Sequence, residues 1–548
     1  MRKLELEPKT YDDKFTTLTN GINVKVRNSI LNHIEKSSSV LELGCGTGVL
    51  AKKIALQGPD VVAIDSNFKM INYAMQNYPS EENVKLIYQI GTVIDFPVED
   101  QSKDYIVSTF LLSELRPLEQ QIFLRKAWKA LKTDGRLLIA AEFIPSGFWK
   151  SVFKIKRWWF KKKLKRLTLK ETHLNKWFFK YLEPIGFKTL SKESWKHGSI
   201  QLLELQKFSI DGKKEPGYYR PKFRMYKGIK SQIRILRCLL TGQVDHVAIE
   251  PGIYESGKPD ENSPVLVTAN YDYTFIKLMQ DIKGIDAWVL CIDSRGINVW
   301  CAARGEDFGN KQLLEAVAAT GLQNYTNKKT LILPQLSAGG VSVPQLPKKK
   351  ESFPYNILYG PVWSKDLPDF LEKRPTKKPN HMKIAKFSLS HRIRAGLTHT
   401  TFIFRKIFVY PILFLFFFLL AMNWSNQLWW IGEFIFIVII VNAIISLGFP
   451  LSNFTRSFIK KGIFFSILNL VVLGALNWIL HYSVIYLLWN SIFYIWLSFF
   501  LTMSFSGYTM ETNPREIQEE YGLFSKINLI LLILSILSIS LGIIFNLI

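Results

Sequence analysis

Two short stretches of the sequence combine residue types and spacings that could do chemistry. The first surrounds Cys301, in the run Asn298-Val299-Trp300-Cys301-Ala302-Ala303-Arg304-Gly305, which follows an apolar run over 287–292 and a turn over 293–296. The second is Gly44-Cys45-Gly46-Thr47-Gly48, and it is followed by an acid at Asp65. A thiolate is a soft metal ligand, and glycines let a backbone approach a bound molecule closely. Both stretches lie between a strand pattern and a helix pattern, where α/β folds place their ligand contacts.

The glycine-rich stretch has the strand–turn–helix pattern of a nucleotide site. An apolar strand pattern over 40–43 precedes it, and a helical pattern over 49–56 follows. The next strand pattern, over 61–65, ends in Asp65, from which a carboxylate can accept both hydroxyls of a ribose. A lone Gly-x-Gly-x-Gly is weak evidence, but the whole run resembles class I S-adenosylmethionine-dependent methyltransferases, with matching later pieces at 102–108 and 130–139.

The resemblance to methyltransferases implies a role for individual residues. Glu42, Gly44, Gly46 and Gly48 would lie along the methionine part of S-adenosylmethionine, and Asp65 would hold the ribose. Where many relatives place an acid near the adenine, this chain has Thr92, with Asp95 three residues on. Methyl transfer from a sulfonium needs mainly alignment, so no catalytic base is required. A domain that binds the cofactor without catalysing transfer is the alternative.

Cys301 can be interpreted either as a packing residue or as a metal ligand. A lone cysteine beside a tryptophan is by default a small buried hydrophobe. The motif from Asn298 to Ala303, however, resembles the signature of the corrinoid proteins of microbial mercury methylation, which are related to the corrinoid iron–sulfur protein of the acetyl-CoA pathway. The resemblance extends over collinear blocks at 250–254, 263–271, 333–341 and 359–362.

In that family the motif cysteine is the lower axial ligand of cobalt, so the resemblance assigns this catalytic and metal-binding role to Cys301. It places the corrinoid against the rest of the motif and against a second small-residue loop; the cofactor-binding residues are then Asn298, Val299, Trp300, Ala302, Ala303, Ser337, Gly339 and Gly340. One departure is clear, because the family motif usually continues Ala-Ala-Gly-Lys, whereas this chain has Ala303-Arg304-Gly305.

The region around Cys301 alternates between short apolar runs and helical patterns. Strands are predicted over 265–268, 287–292, 330–333 and 356–358, and helices over 273–282, 313–319 and 366–373. Such alternation predicts a parallel sheet with helices on its faces, and ligands then lie beyond the strand ends. The loops at 299–301 and 337–340 would therefore contact one ligand. The alternative is that the second loop is merely flexible.

The net charge and the spacing of the cysteines limit which kinds of partner the chain is expected to bind. The chain of 548 residues has a formal net charge of +25, and a stretch at 146–167 interleaves aromatic and basic residues. Such a stretch suits an anionic lipid surface or single-stranded nucleic acid, and the apolar C-terminal part of the chain favours the membrane. The cysteines, Cys45, Cys238, Cys291 and Cys301, form no Cys-x-x-Cys pair, so no iron–sulfur motif is recognisable. As in the family, a separate ferredoxin-like electron donor with iron–sulfur clusters is implied.

The C-terminal part predicts five transmembrane helices, at about 407–422, 431–449, 463–480, 484–505 and 527–547. Lysine and arginine concentrate in alternate loops, which by the positive-inside rule places both soluble domains in the cytoplasm and the C-terminus outside. The predicted location is therefore the cytoplasmic membrane, spanned several times. Few ionisable groups interrupt the spans, which argues against a transporter.

The predicted fold class is α/β with a helical membrane part. The domains are a Rossmann-like methyltransferase over 1–208, a linker over 209–243, an α/β corrinoid-binding domain over 244–380 and a membrane domain over 381–548. The function favoured is transfer of a methyl group through cobalt to a small-molecule or metal-ion acceptor, with mercuric ion the example that the family suggests. The alternatives are an S-adenosylmethionine-dependent methyltransferase of a lipid or other membrane substrate with a vestigial corrinoid domain, and a non-enzymatic corrinoid-binding membrane protein.

Overall fold

A computed structural model describes residues 6–82, 84–96, 99–154, 156–157, 175–209, 212, 215–222, 228–241, 247–347, 353–373, 378–407, 427–480, 483–507, 509 and 514–544. The chain forms two compact units. The first comprises 1–222 with 250–254 and 313–327, and the second comprises 223–249, 255–312 and 328–548. Half of the predicted basic and aromatic stretch, residues 155 and 158–167, and residues 408–422 of the first predicted membrane span lie outside the described residues.

The first unit is built on a seven-stranded sheet of order β3-β2-β1-β4-β5-β7-β6. Its strands are β1 (Ser39–Leu43), β2 (Asp60–Asp65), β3 (Leu86–Ile90), β4 (Lys103–Thr109), β5 (Leu131–Glu142), β6 (Phe187–Trp195) and β7 (Ile200–Lys207). The first five strands pair in parallel, and β7 runs antiparallel to both β5 and β6. Strands β1, β2 and β4 each have a buried apolar centre, as expected of strands covered on both faces. The predicted Rossmann-like fold is confirmed.

Helices cover the two faces of this sheet. They are α1 (Pro8–Thr19), α2 (Ile22–His33), α3 (Val49–Ala55), α4 (Phe68–Asn77), α5 (Pro117–Ala130), α6 (148–154) and α7 (Phe179–Ile185). Two separate apolar cores result, one centred on Phe123 and Trp128 of α5 and the other on Val26 and Ile30 of α2. The carboxyl ends of β1, β4 and β5 are left for the loops that carry the candidate site.

A second sheet has the order β12-β11-β9-β10-β8. Its strands are β8 (Gly252–Ser256), β9 (Val265–Ala269), β10 (Ala287–Ile292), β11 (Thr330–Leu333) and β12 (Asn356–Tyr359). The pairs β9–β10, β9–β11 and β11–β12 are parallel, as the alternating pattern predicts. The helices of this region are α8 (Ile229–Thr241), α9 (Asp272–Asp281), α10 (Val299–Arg304), α11 (Asn310–Thr320), α12 (Leu367–Lys373) and α13 (Asn380–Lys383).

The C-terminal region is helical. It contains α14 (Leu389–Ile407), α15 (Gln427–Gly448), α16 (Phe458–Ile479), α17 (Val484–Ser506) and α18 (Pro514–Ile544). Within the described residues, four helical stretches are long and apolar enough to cross a membrane: Glu433–Ser452, Phe458–Ile479, Val484–Ser506 and Glu519–Gly542. These four agree with the last four predicted spans.

Helix α14 joins the apolar helices through a buried polar group. His399 is completely buried, and its ring nitrogens lie 2.6 Å from Oδ1 of Asn442 on α15 and 2.8 Å from Oγ of Ser504 on α17. The side-chain amide of Asn442 also donates to the carbonyl oxygen of Gly396 at 2.8 Å. Because buried polar groups are costly unless paired, these bonds fix how α14 packs against α15 and α17.

Candidate functional site

The glycine loop connects β1 to α3, and its geometry requires glycine. Gly44, Gly46 and Gly48 have φ values of +76°, +55° and +82°. A Cβ on Gly48 would lie 2.7 Å from the hydroxyl of Tyr88 and 2.8 Å from Cβ of Ala74, whereas a Cβ on Gly46 would meet no protein atom within 4 Å. The loop is therefore tightly packed against the protein at Gly48 and open at Gly46, as a loop that receives a ligand on one side must be.

Two carboxylates of the predicted donor site flank this loop. The side chain of Glu42 is 1% exposed, and its Oε2 has no hydrogen-bond partner. Burial raises the pKa of Glu42 to about 8, with a smaller lowering effect from the charge of Arg27. An orphaned buried carboxylate oxygen is costly, so this atom fits a cationic or hydrogen-bonding group of a bound molecule.

Asp65 ends β2 and already holds the glycine loop. Its Oδ2 accepts the backbone N–H of Gly46 at 2.9 Å, and its Oδ1 accepts that of Asn67 at 2.8 Å. Burial nevertheless raises the pKa of Asp65, with these backbone donors acting in the opposite direction. A carboxylate has about four acceptor positions, so Asp65 keeps capacity for ribose hydroxyls.

The remaining predicted donor-site residues lie at the end of β3. Thr92 and Asp95 form a tight turn in which the N–H of Asp95 donates to the carbonyl oxygen of Thr92 at 3.0 Å, and both side chains are exposed. The structure thus places them at the same edge of the sheet as Asp65. Cys45 is buried, and burial raises the pKa of its thiol well above the ordinary value, in keeping with a packing role.

A cavity of about 480 Å³ lies within the first unit, and two of the segments that line it also contact the glycine loop. Helix α1 reaches both, because Thr47 of the loop donates to Asp12 at 2.5 Å and Phe15, three residues further along α1, lines the cavity. The segment after β4 also reaches both: Leu111 packs against Gly44, and Phe110 lines the cavity. Sequence reasoning missed this cavity, because its walls come from four separate segments of the chain.

Cys301 lies in the first turn of α10, where the preceding asparagine holds it. The side chain of Asn298 accepts the N–H of Cys301 at 3.0 Å as a helix N-cap, and its amide nitrogen lies 3.4 Å from Sγ. Cys301 is half-buried, in contrast to Cys291, which is fully buried in β10. Asn298 therefore fixes both the backbone and the thiol of the cysteine.

The second predicted loop packs directly on the cysteine helix. A Cβ on Gly340 would lie 2.2 Å from the carbonyl oxygen of Phe308 and 2.6 Å from that of Ala303, so only glycine allows the approach. Gly339 is exposed, and a Cβ there would meet only Nη1 of Arg304, at 3.9 Å. The structure therefore brings together the two loops, which follow the two strands that flank β9.

Individual motif residues have different surroundings. Val299, Ala302 and Ala303 are buried in the domain, and Ser337 is buried with its hydroxyl bonded to the carbonyl oxygen of Pro334 at 2.8 Å. These four shape the two loops through packing. The half-buried Trp300 stacks under the guanidinium of Arg304, whose Cζ lies 3.2 Å from the ring centroid.

Arg304 stands where the resemblance expects glycine. Its Nη1 is buried and has no hydrogen-bond partner, and burial lowers the pKa of its guanidinium. An unpartnered donor beside a cysteine and two glycines fits a ligand rich in carbonyl or amide oxygens. Together with the soft sulfur donor and the glycine packing, this residue set fits a corrinoid.

An asparagine that the sequence analysis did not single out positions the turn before Cys301. Asn270 is fully buried after β9, and its Oδ1 accepts the N–H groups of Ser294 and Gly296, each at 2.9 Å. Its side-chain amide donates to Oδ1 of Asp293 at 3.0 Å. The only available signal was its place in the block over 263–271, directly after a buried strand.

Comparison with known protein families matches the regions around Gly44 and around Cys301 to two different families. Residues 40–135 match the family model described as a methyltransferase domain. The chain carries a methyltransferase domain. Residues 228–342 match the model of the CO dehydrogenase/acetyl-CoA synthase delta subunit, and we refer to them as the synthase-like domain.

Curated relatives resemble part of the chain. The acetyl-CoA decarbonylase/synthase complex subunit gamma of Methanopyrus kandleri is 32% identical over 142 residues, which is 25% of this chain and 29% of that protein. The subunit gamma of Methanothermobacter thermautotrophicus is 30% identical over 128 residues, covering 23% of this chain and 27% of that protein. The chain thus spans less than a third of the length of either relative.

Solved structures of methyltransferases also align with the chain. An S-adenosylmethionine-dependent methyltransferase from Methanosarcina mazei aligns over 32% of this chain and 96% of its own, with 17% identity and a TM-score of 0.28. A TehB-like S-adenosylmethionine-dependent methyltransferase from Corynebacterium glutamicum aligns over 36% of this chain and 99% of its own, with 16% identity and a TM-score of 0.27.

Proposed function

We propose that this protein is a membrane-bound methyltransferase in which Cys301 ligates the cobalt of a corrinoid, and that the methyl group passes to a soft acceptor such as mercuric ion. The observation that carries the proposal is the half-buried Cys301 thiol. Asn298 holds it where the loop over 335–340 packs against α10. The match of residues 228–342 to the synthase delta subunit supports it. A bound corrinoid would supply a cobalt centre that accepts and donates a methyl group.

The residues of the synthase-like domain would have distinct tasks. Asn298 orients Cys301 so that its sulfur, an anionic donor once deprotonated, can raise the electron density on the metal. Gly339 leaves the surface open for a broad ligand, and Nη1 of Arg304 can donate to an oxygen of that ligand. Since the cysteines show no cluster motif, the reducing electrons would come from a ferredoxin-like partner with iron–sulfur clusters.

In the methyltransferase domain the donor would be S-adenosylmethionine. The orphaned oxygen of Glu42 would accept from its cationic amino group, and Asp65 would accept from the ribose hydroxyls. Thr92 and Asp95 would border the adenine. Binding in this mode would orient the sulfonium methyl group for attack, which is the main requirement for transfer.

The apolar helices would place the protein in the cytoplasmic membrane with both soluble domains on the cytoplasmic side. Between the second and third predicted spans lie Arg456, Lys460 and Lys461, and between the fourth and fifth lie Arg515 and Lys526, whereas residues 481–482, between the third and fourth, include neither lysine nor arginine. By the positive-inside rule the basic loops face the cytoplasm. Tagging the C-terminus and labelling it in intact cells would test this orientation.

The visible spectrum of the detergent-purified full-length protein, reconstituted with a corrinoid, tests the role of Cys301. We expect a spectrum typical of thiolate-ligated cobalt in the wild type and its loss in Cys301→Ala. Cys291→Ala is the matched control, because Cys291 is fully buried in the neighbouring strand. An unchanged spectrum in Cys301→Ala would overturn the assignment, and absence of bound corrinoid in the wild type would overturn the proposed function.

A second candidate function is methylation of an apolar, membrane-associated molecule from S-adenosylmethionine, with the synthase-like domain retained as a scaffold. The aromatic-lined cavity beside the glycine loop favours it. Transfer of a labelled methyl group from S-adenosylmethionine to reconstituted corrinoid would support the first candidate. Transfer only to an extractable organic product would support the second.

A further inference from the structure

The cavity beside the glycine loop has a composition that indicates what it binds. Its walls are mostly apolar and include four aromatic residues, Phe15, Phe110, Trp149 and Phe153. Aromatic walls bind flat aromatic molecules well, through offset-stacked and edge-to-face contacts. A volume of about 480 Å³ suits a molecule of drug size or smaller and is far too small for a whole corrinoid.

Basic side chains outnumber acidic ones in the cavity lining. Lys156, Lys196 and His197 line the cavity, and they bring two ammonium groups and an imidazole ring. The one acidic side chain among the described lining residues, Glu142 at the end of β5, is paired with Arg157. The lining therefore carries a net positive charge, which attracts an acceptor group that becomes anionic and disfavours an amine.

The turn that carries His197 is strained and braced. Lys196 and His197 have φ values of +46° and +56°, a conformation that non-glycine residues adopt at a cost of about 1 kcal/mol or more each. The imidazole stacks on Trp149 of α6, with ring centroids 3.6 Å apart and planes within 6°. This stacking holds the imidazole in the cavity wall in spite of the backbone cost, which points to a use for the ring.

We propose that this cavity is the methyl-acceptor site of the methyltransferase domain, that its substrate is a small phenol, and that His197 accepts the phenolic proton. The phenolic O–H bond breaks as its proton passes to the imidazole, and the oxygen attacks the sulfonium methyl carbon. The C–S bond breaks with its electron pair left on sulfur, so the products are an aryl methyl ether and S-adenosylhomocysteine. No external oxidant or reductant is needed.

This inference rests on the use of S-adenosylmethionine by the first unit and not on cobalt chemistry. The experiment therefore uses full-length, corrinoid-free protein in detergent, so that its outcome is separate from that of the spectral test of Cys301. The probe is 2-naphthol, a phenol small enough for the cavity. Its binding is followed by its fluorescence in protein saturated with S-adenosylhomocysteine.

Two neighbouring aromatic residues provide a matched pair of variants. Trp149 lines the cavity, whereas Phe148 is 76% exposed and does not. We expect Trp149→Ala to weaken naphthol binding about tenfold, because the stacking surface is lost, and Phe148→Ala to leave it unchanged. Equal effects of the two substitutions, or no binding of naphthol to the wild type, would overturn the proposed site.

The role of His197 needs a kinetic measurement. With labelled S-adenosylmethionine we expect methyl transfer to 2-naphthol, and His197→Gln should lower kcat about a hundredfold while naphthol affinity changes little. The pH profile of kcat should also lose its acidic limb in this variant. A fall in affinity without a fall in kcat would assign His197 to binding alone. Methylation of lipid vesicles without methylation of naphthol would overturn the phenol assignment.

Discussion

The two glycines of the loop over 335–340 allow protein packing to be separated from ligand binding. In Gly340→Ala the new Cβ would overlap two backbone carbonyl oxygens, at 2.2 Å and 2.6 Å, and also the Cα of Ala303 at 2.8 Å. Backbone atoms cannot rotate away as a flexible side chain can, so the loop must retreat from α10. In Gly339→Ala the new Cβ would meet only the guanidinium of Arg304, at 3.9 Å, which is an ordinary contact distance.

The distances set the expected magnitudes. Relieving the overlap in Gly340→Ala requires a shift of about 1 Å, and overpacking of this kind typically costs about 1–3 kcal/mol. The free energy of unfolding of the synthase-like domain should fall by that amount. If both loops contact the corrinoid, the same shift should weaken its binding about tenfold to a hundredfold, since each factor of ten corresponds to about 1.4 kcal/mol. Gly339→Ala should leave stability unchanged and weaken corrinoid binding alone.

Thermal unfolding of the corrinoid-free protein and spectroscopic titration with a corrinoid measure the two effects separately. A Gly340→Ala variant that unfolds at the wild-type temperature would refute the packing argument. A Gly339→Ala variant that binds corrinoid as tightly as the wild type would show that this face of the loop does not meet the ligand. Because the two positions are adjacent, the comparison is free of differences in location.

Two further predictions concern single side chains. Burial raises the pKa of Glu42 from an ordinary value of 4.5 to about 8, so the folded domain retains a proton that the unfolded chain releases. The free energy of unfolding should therefore fall as the pH rises from about 4.5 through 8. In thermal unfolding, Glu42→Gln should remove this dependence on pH, and the same variant should bind S-adenosylmethionine more weakly. Substituting Asn298 by Ala should cost about 1 kcal/mol of stability through loss of the cap and should weaken corrinoid binding. Asn298→Asp keeps the acceptor oxygen and should retain most of the stability. Thermal unfolding and corrinoid titration of both variants measure these effects.

The parts of the fold that were predicted correctly are those determined by local sequence. The alternation of apolar strands and amphipathic helices gave the strands β9, β10, β11 and β12 to within a residue at each end. The strand–loop–helix unit around Gly44 to Gly48 also agrees with the structure. Strand β8, over Gly252–Ser256, was missed because Pro251 and Gly252 are turn-forming residues and the apolar run is short.

The sequence could not show which loops meet. That Gly340 lies against Ala303 depends on the order of strands in the second sheet, in which β11 and β10 both flank β9. Both loops were predicted to lie beyond strand ends of one parallel sheet, but the contact between them is made by backbone atoms and leaves no trace in residue type beyond a glycine. Asn270 is a similar case, because a single buried amide holds Ser294 and Gly296 across the sheet edge.

The acceptor cavity illustrates a further limit. Its described walls come from α1, from the segment after β4, from the end of β5 with α6, and from the β6–β7 turn, and none of these carries a motif. The basic and aromatic stretch over 146–167 predicted a membrane surface, yet Trp149 and Phe153 of its described part face the cavity, while Phe148 is exposed. Periodicity alone cannot separate a residue that faces lipid from one that faces a ligand, since both are apolar positions on one helix. The stacking of Trp149 on His197 in the cavity wall separates them here, and the comparison of Trp149→Ala with Phe148→Ala tests that distinction directly.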